Sequence, residues 1–237
     1  MIAVRDHRRT MSTAAGAAAL ASLTLLGGCS DDSSEASPDE LRERLVTART
    51  QIDEAASVQF SLATDELPDD VTGLLEADGV GNHDPAFEGS VSVSAMGGVN
   101  ADVIAVGDDV YAKISFTPSY TQVDPSDLGA PNPALLFDTD VGVSSFLTST
   151  EDLEAGDESR DGDLVLTTVT GSLSGDVVQR LIPTADATAE FDVEYRLTDD
   201  DAVHDAVMTG PFYGDAGDVT YTMSLDASDE AVEITEP

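Results

Sequence analysis

The chain has 237 residues, 41% of them hydrophobic but only 5% aromatic and none of them Trp, which suits one domain with an aliphatic core and not a disordered coil. Ten Lys and Arg stand against 47 Asp and Glu, a net charge of -37, and a field of that sign repels nucleic acid and anionic surfaces at long range, which excludes nucleic-acid binding. The acids are scattered through turns and outward strand positions and Lys113 is the sole lysine, a surface suited to high ionic strength, where screening shortens self-repulsion.

Residues 1–28 have the pattern of an export signal. Arg5, Arg8 and Arg9 form a basic start, and "AAGAAALASLTLL" follows as an apolar stretch too short to span a bilayer comfortably. The Arg8–Arg9 pair leaves general secretion and twin-arginine export both open. Cys29 is the only cysteine, so it has no disulfide partner, and it sits beside a hydrophobic segment with no base at hand. The string "LGGC" that ends on it resembles the bacterial lipobox, whose cysteine is diacylated and becomes the first residue of the mature chain. Two or three acyl chains would then hold the protein on the extracytoplasmic face of the cell membrane, anchored without spanning it, since each buried methylene contributes about 0.8 kcal/mol. Residues 29–37 are polar and read as a flexible tether, at most roughly 30 Å long.

From Pro38 the pattern becomes helical. Leu41, Leu45, Ala48, Ile52, Ala55 and Ala56 recur at spacings of three and four. Ser37 is placed to cap this helix, Pro38 suits its first position, and Asp39 and Glu40 suit the positive end of its dipole. Beyond it the period falls to two: "SVQFSLAT", "GSVSVSAM" and "NADVIAVGDDVYAKIS" predict strands, the last folded about Gly107, Asp108 and Asp109. Between residues 121 and 150, Pro and Gly separate short apolar clusters at Leu135 to Phe137 and Val141 to Leu147, which predict short helices. Then "GDLVLTTVTGSLS", "TAEFDVEYRLTDD", "HDAVMTGPFY", "DVTYTMSLDA" and "AVEITEP" predict further strands, with a short helix over "SGDVVQRLIP" that Ser174 would cap. Helices interrupt a large twisted antiparallel sheet instead of alternating with each strand, which makes the fold class α+β.

The lipobox "LGGC", the helix opening at Pro38 and the order of the strings "VGDDVYAKIS", "YTQVDPSDL" to "NPALLFDTDVGVSSFL", "LTTVTGSLSGDVVQRLIP" and "VTYTMSLDASDEAVEITEP" together resemble the LppX and LprG (LprAFG) family of actinobacterial lipoproteins. The resemblance covers essentially the mature chain, is strongest from about residue 88 onward, and makes residues 38–237 the lipid-binding domain. It implies a half-open barrel made of the single sheet, with short helices covering the concave face and enclosing an apolar cavity. It implies a non-enzymatic membrane-anchored lipoprotein that binds acylated lipids or lipoglycans and carries them toward the outer envelope, in some members with a major-facilitator transporter.

On that reading the lipid-cavity wall takes Val91 and Val93 from one strand, Val103 and Ala105 from the next, Leu135, Phe137, Val143, Phe146 and Leu147 from the covering helices, and Leu181 from the later helix. The same residues would serve a closed core equally well, so a structural or partner-binding envelope lipoprotein without lipid cargo stays open. Arg180 and Lys113 are the cations considered for a lipid headgroup phosphate.

Enzyme chemistry has thin support. His7 belongs to the export signal, His83 sits in the turn "GNHDP" and His204 near a strand start. "GSLSG" fails the G-x-S-x-G pattern because Leu173 holds its centre. Asp157, Ser159, Asp161 and Gly162 echo a calcium loop, but the twelfth position is Thr168 instead of a bidentate Glu and the segment fits a hairpin turn. No catalytic residue, metal or cofactor is expected.

Overall fold

The computed structural model describes residues 36–69, 71–94, 98–114, 117–128 and 130–237. The export signal, Cys29 and all but the last two residues of the tether lie outside them. Helix α1 (Pro38–Glu54) begins where the sequence placed it. The Ser37 amide donates to a Glu40 carboxylate oxygen at 2.8 Å and the Glu40 amide donates back to Ser37 Oγ at 3.4 Å, a capping box ahead of Pro at the first helical position. Leu41, Leu45, Ala48 and Ile52 form its buried stripe.

Eleven strands form one antiparallel sheet: β1 (Ser57–Ala63), β2 (Leu74–Asn82), β3 (Ala86–Val93), β4 (Val99–Val106), β5 (Asp109–Ile114), β6 (Thr121–Gln122), β7 (Glu151–Asp161), β8 (Leu164–Ser174), β9 (Glu190–Leu197), β10 (Val203–Gly210) and β11 (Val219–Ser228). Their spatial order is β6-β5-β4-β3-β2-β1-β11-β10-β9-β8-β7. Two meanders thus join through β1 and β11, where Ser57 lies opposite Ser228. The sheet is not closed: β6 and β7 are its edges.

That order forces the chain between β6 and β7 to travel from one edge to the other, roughly 48 Å along the sheet at about 4.8 Å per strand. It crosses the concave face as a short 3-10 turn at Pro125–Leu128, a second at Pro133–Phe137, and helix α2 (Val143–Ser149). Helix α3 (Gly175–Leu181) is inserted between β8 and β9. Asn132 caps the second turn by accepting from the Ala134 amide at 3.0 Å, and Arg49 of α1 reaches Thr148 Oγ1 at 2.7 Å, which fixes α1 against α2. Arg44 and Gln51 tie α1 to the β9–β10 turn through the Thr198 and Asp200 carbonyls, at 3.1 and 2.8 Å. The fold is therefore an α+β half-open barrel with helices over its concave face.

Two predicted strands have different fates. The alternation in "AVEITEP" does not build a strand: residues 229–237 run outside the sheet, with the Val232 oxygen accepting from Asn82 Nδ2 at 3.1 Å and Glu236 at the Tyr111 hydroxyl. Ala86 and Ile104 are buried although they lie on the outward side of their strands, on the face this tail crosses. The sequence "DESRDGDLVLTT" spans β7, a turn at Gly162 with φ 57°, and β8, as expected of a hairpin.

The concave side of β2 and β3 is packed ring on glycine. The Phe87 ring covers Gly79 and Gly89, and Phe137 covers Gly81, where a Cβ would stand 2.1 Å from the ring. Phe60 meets Phe137 edge to face at 6.1 Å. Gly81→Ala is expected to force Phe137 off its seat and to lower stability by about 1–3 kcal/mol, the range for overpacking a filled core. Equilibrium urea unfolding checks it, and a loss below about 0.5 kcal/mol would mean the ring is not seated there.

Candidate functional site

Beside this ring-on-glycine patch the concave face is not filled. A cavity of about 130 Å³ lies between the sheet and its cover. Its floor is Phe60 and Leu62 of β1, Leu74 and Ala77 of β2, Val193 and Tyr195 of β9, Ala206 and Met208 of β10, and Tyr221, Met223 and Leu225 of β11. Its roof is Ala130, Pro131, Pro133 and Leu136 of the crossing segment, Val143, Phe146 and Leu147 of α2, and Leu181 and Ile182 at the end of α3. The sheet supplies the floor because alternate residues face one side, and α2 supplies the roof because its spacing turns Val143, Phe146 and Leu147 the same way.

Among the described residues no charged side chain lines this cavity, and its tyrosine hydroxyls are all engaged. Tyr221 donates to the Leu74 oxygen at 2.7 Å, the Leu74 amide donates to the Tyr213 oxygen at 3.1 Å, and the two hydroxyls share a 2.6 Å hydrogen bond. With Tyr221 giving its proton to Leu74, Tyr213 gives its own to Tyr221, and the ring of bonds closes. Tyr195 shares a 3.0 Å bond with Thr150 Oγ1, which donates to the Phe146 oxygen at 2.8 Å. Burial pushes the Tyr195 and Tyr221 hydroxyls far above the ordinary phenol range, so both stay neutral. Such a surface offers hydrocarbon contact and no free hydrogen bond. Met208 and Met223 add flexible, polarisable side chains that adapt to an irregular occupant.

Of the residues singled out from the sequence, Val91, Val143, Phe146, Leu147 and Leu181 are brought together around this cavity. Val103, Ala105 and Phe137 are buried in the core but do not line the cavity. Val93 is buried opposite Leu74, and Leu135 is half-buried against the core; neither lines the cavity. The sequence reading missed the contribution of β1 and of β9 to β11. The available signal was their alternation, Phe60 with Leu62 and Tyr221 with Met223 and Leu225, which had been assigned to strands but not to the hollow side.

The polar candidates sit elsewhere. Lys113 pairs with Asp102 at 3.3 Å on the outward side of β4 and β5, away from the cavity. Arg180 is exposed on α3, next to Leu181. His204 bridges Asp205 at 2.6 Å and Asp161 at 3.4 Å, and the buried Asp205 accepts from both Nε and Nη2 of Arg196. His83 has each ring nitrogen against a backbone carbonyl. Among the described residues no group of three or more His, Cys, Asp and Glu is arranged to hold a metal ion, and no helix is long and apolar enough to cross a membrane.

A half-open antiparallel barrel folded around a hydrocarbon cavity defines a class of protein suited to apolar molecules. The chain belongs to the LppX_LprAFG lipoprotein family, whose model matches residues 41–234. It is 26% identical over 251 residues to the lipoarabinomannan carrier protein LprG of Mycolicibacterium hassiacum, covering 97% of this chain and 99% of that one. Its fold matches the crystal structures of LprF from Mycobacterium bovis (TM-score 0.68, 14% identity, 86% of this chain and 99% of that one) and of the lipoprotein LppX from Mycobacterium tuberculosis (TM-score 0.61, 18% identity, 84% and 100%). The family is one of lipid-binding lipoproteins.

Tyr213→Phe breaks the ring of hydroxyl bonds and strands the Leu74 amide. It is expected to cost about 1–3 kcal/mol, the penalty for a buried donor without an acceptor, read by urea unfolding against wild type.

Proposed function

We propose that this chain is a non-enzymatic carrier that takes the acyl chains of a lipid or lipoglycan into the cavity, leaves the headgroup outside, and moves its cargo from the plasma membrane toward the outer envelope. The observation that supports this most directly is the lining: apolar throughout, with every tyrosine hydroxyl already satisfied by the protein. Nothing there recognises a polar headgroup, whereas each buried methylene gains about 0.8 kcal/mol. Selectivity is then for hydrocarbon, and loose. Residues 1–28 act as the export signal, Cys29 carries the acyl anchor on the extracytoplasmic face, residues 29–37 form the tether, and the domain from Pro38 onward works within its reach of the membrane. The lipoarabinomannan-carrier name of the LprG relative supports lipoglycan as one cargo class.

The volume constrains how this happens. About 130 Å³ is close to a benzene-sized void and well short of the roughly 300–1,000 Å³ of ordinary ligand pockets. An acyl chain enters only if the walls give, and the proline-bounded roof and the two methionines are the parts able to do so. The same small volume favours the second reading, a closed-core envelope lipoprotein that carries no lipid.

Native mass spectrometry with organic extraction, on protein from an actinobacterial host, separates the two. The carrier reading expects stoichiometric acyl lipid in wild type and its loss in Met223→Trp, whose larger side chain fills the void from the floor while the protein stays folded. A clean protein mass, with no uptake on incubation with native envelope lipids, would leave the closed-core reading. Cys29→Ser is expected to shift the protein from the membrane to the soluble fraction after cell fractionation, and retention in the membrane would overturn the anchor.

A further inference from the structure

His83 occupies the turn between β2 and β3, half-buried, with its imidazole held between two backbone oxygens. Nδ1 stands 2.7 Å from the Phe137 oxygen and Nε2 stands 2.9 Å from the Ile52 oxygen. One oxygen ends the Pro133–Phe137 turn of the cavity roof and the other belongs to the last turn of α1. A neutral imidazole has a single N–H and would turn a lone pair toward one of these oxygens; only the imidazolium donates to both. The charged and titratable groups on the elements that meet there are Arg49, Asp53 and Glu54 of α1, Asp138 after the roof turn, Asp84 in the histidine's own turn, and Glu230 and Glu233 on the tail that meets Asn82. Arg49 is paired with Asp53 at 3.0 Å, and Asp53 also accepts from Ser144 of α2 at 2.6 Å. Asp138 turns its carboxylate back onto the amides of Asp140 and Val141, at 2.8 and 2.9 Å.

We propose that His83 is a proton-operated latch on the cavity roof. Charged, the ring bonds the roof to α1 and holds the small, closed form of the cavity. On losing a proton it keeps one carbonyl and releases the other, and the stretch from Ala130 to Phe137 can shift away from the floor between the two ties that remain, Asn132 Nδ2 on the Gly107 oxygen at 2.8 Å and Arg49 on the Thr139 oxygen. That is the widening an acyl chain needs, so the latch's purpose rests on the lipid-carrier reading, while its chemistry does not. Acid favours the latched form and a rise in pH loosens it, because the protonated ring donates two hydrogen bonds where the neutral ring donates one. The roof is suited to this movement because Pro131 and Pro133 bound it on one side and Gly142 ends it on the other.

The test reads the latch and the cargo separately. Amide hydrogen exchange across residues 134–141, corrected for intrinsic rates, is measured on wild type at pH 5.5 and pH 8.0, together with stopped-flow uptake of the apolar fluorophore 1-N-phenylnaphthylamine. The expected result is roughly tenfold more frequent opening and faster uptake at the higher pH, the factor for one hydrogen bond to a charged group. His83→Gln, which cannot titrate, is expected to make the two pH values alike, while His204→Gln keeps the difference. Equal exchange at both pH values in wild type overturns the latch even if the fluorophore binds, and so does a pH dependence that survives in folded His83→Gln. Exchange that responds to pH with no uptake at either value supports the latch and overturns the carrier reading instead. The wild-type exchange experiment decides the latch even if His83→Gln fails to fold.

Discussion

The chain must cross its own sheet. Because β6 and β7 are opposite edges of an open sheet, the segment between them has to pass over the concave face, and most of what is distinctive in the molecule follows from that crossing. The segment is short, rich in proline and only partly helical, so it covers the face without supplying enough side-chain volume to fill it. Close packing needs interdigitating side chains from both layers. Where the cover lies directly on the sheet the core is solid, and where it arches the core is hollow.

The division between solid and hollow is set by glycine and phenylalanine. Over β2 and β3, glycines let the Phe87 and Phe137 rings lie on the backbone itself, and the roof comes down to meet them. Toward β9, β10 and β11 the floor is built from tyrosine, methionine and leucine, and residues of α2 and α3 face it across the cavity. Phe191, Phe212 and Tyr221 run edge to face, with ring centres 5.0 and 5.1 Å apart, along that floor. Aromatic rings thus serve both parts, sealing the solid side through Phe87 and Phe137 and stiffening the cavity floor through Phe212 and Tyr221.

Helix α1 was legible to the residue because its signal is local: Ser37, Pro38 and Glu40 cap it and Leu41, Leu45, Ala48 and Ile52 mark one face. Strand β2 was not, because Gly79 and Gly81 occupy its inward positions and leave no alternation to read; the side chains that complete that face come from Phe87 and Phe137. Strand β7 was legible only through the hairpin turn at its end, because it is an exposed, acidic edge with irregular pairing, in which only Leu153 is buried. The tail "AVEITEP" imitates a strand because Val232 and Ile234 are half-buried as it runs outside the sheet. For the cavity, alternation reveals which face a residue takes but not how far the opposite layer stands from it. That is why Val91 and Val103, neighbours on one face, end in different surroundings.

The pairing of β1 with β11 also governs when the molecule can be finished. Each meander is a set of local hairpins that can zip as its own residues become available, but the seam between them joins the first strand to the last. Contacts of such high sequence separation form late, because the intervening chain must be ordered before they repay its entropy. Until then each half-sheet presents a bare apolar concave face and a bare edge, the two features that invite aggregation. The dense negative charge of the chain keeps such half-built molecules apart through mutual repulsion. Its acidity therefore protects the nascent protein during assembly as well as solvating the finished one.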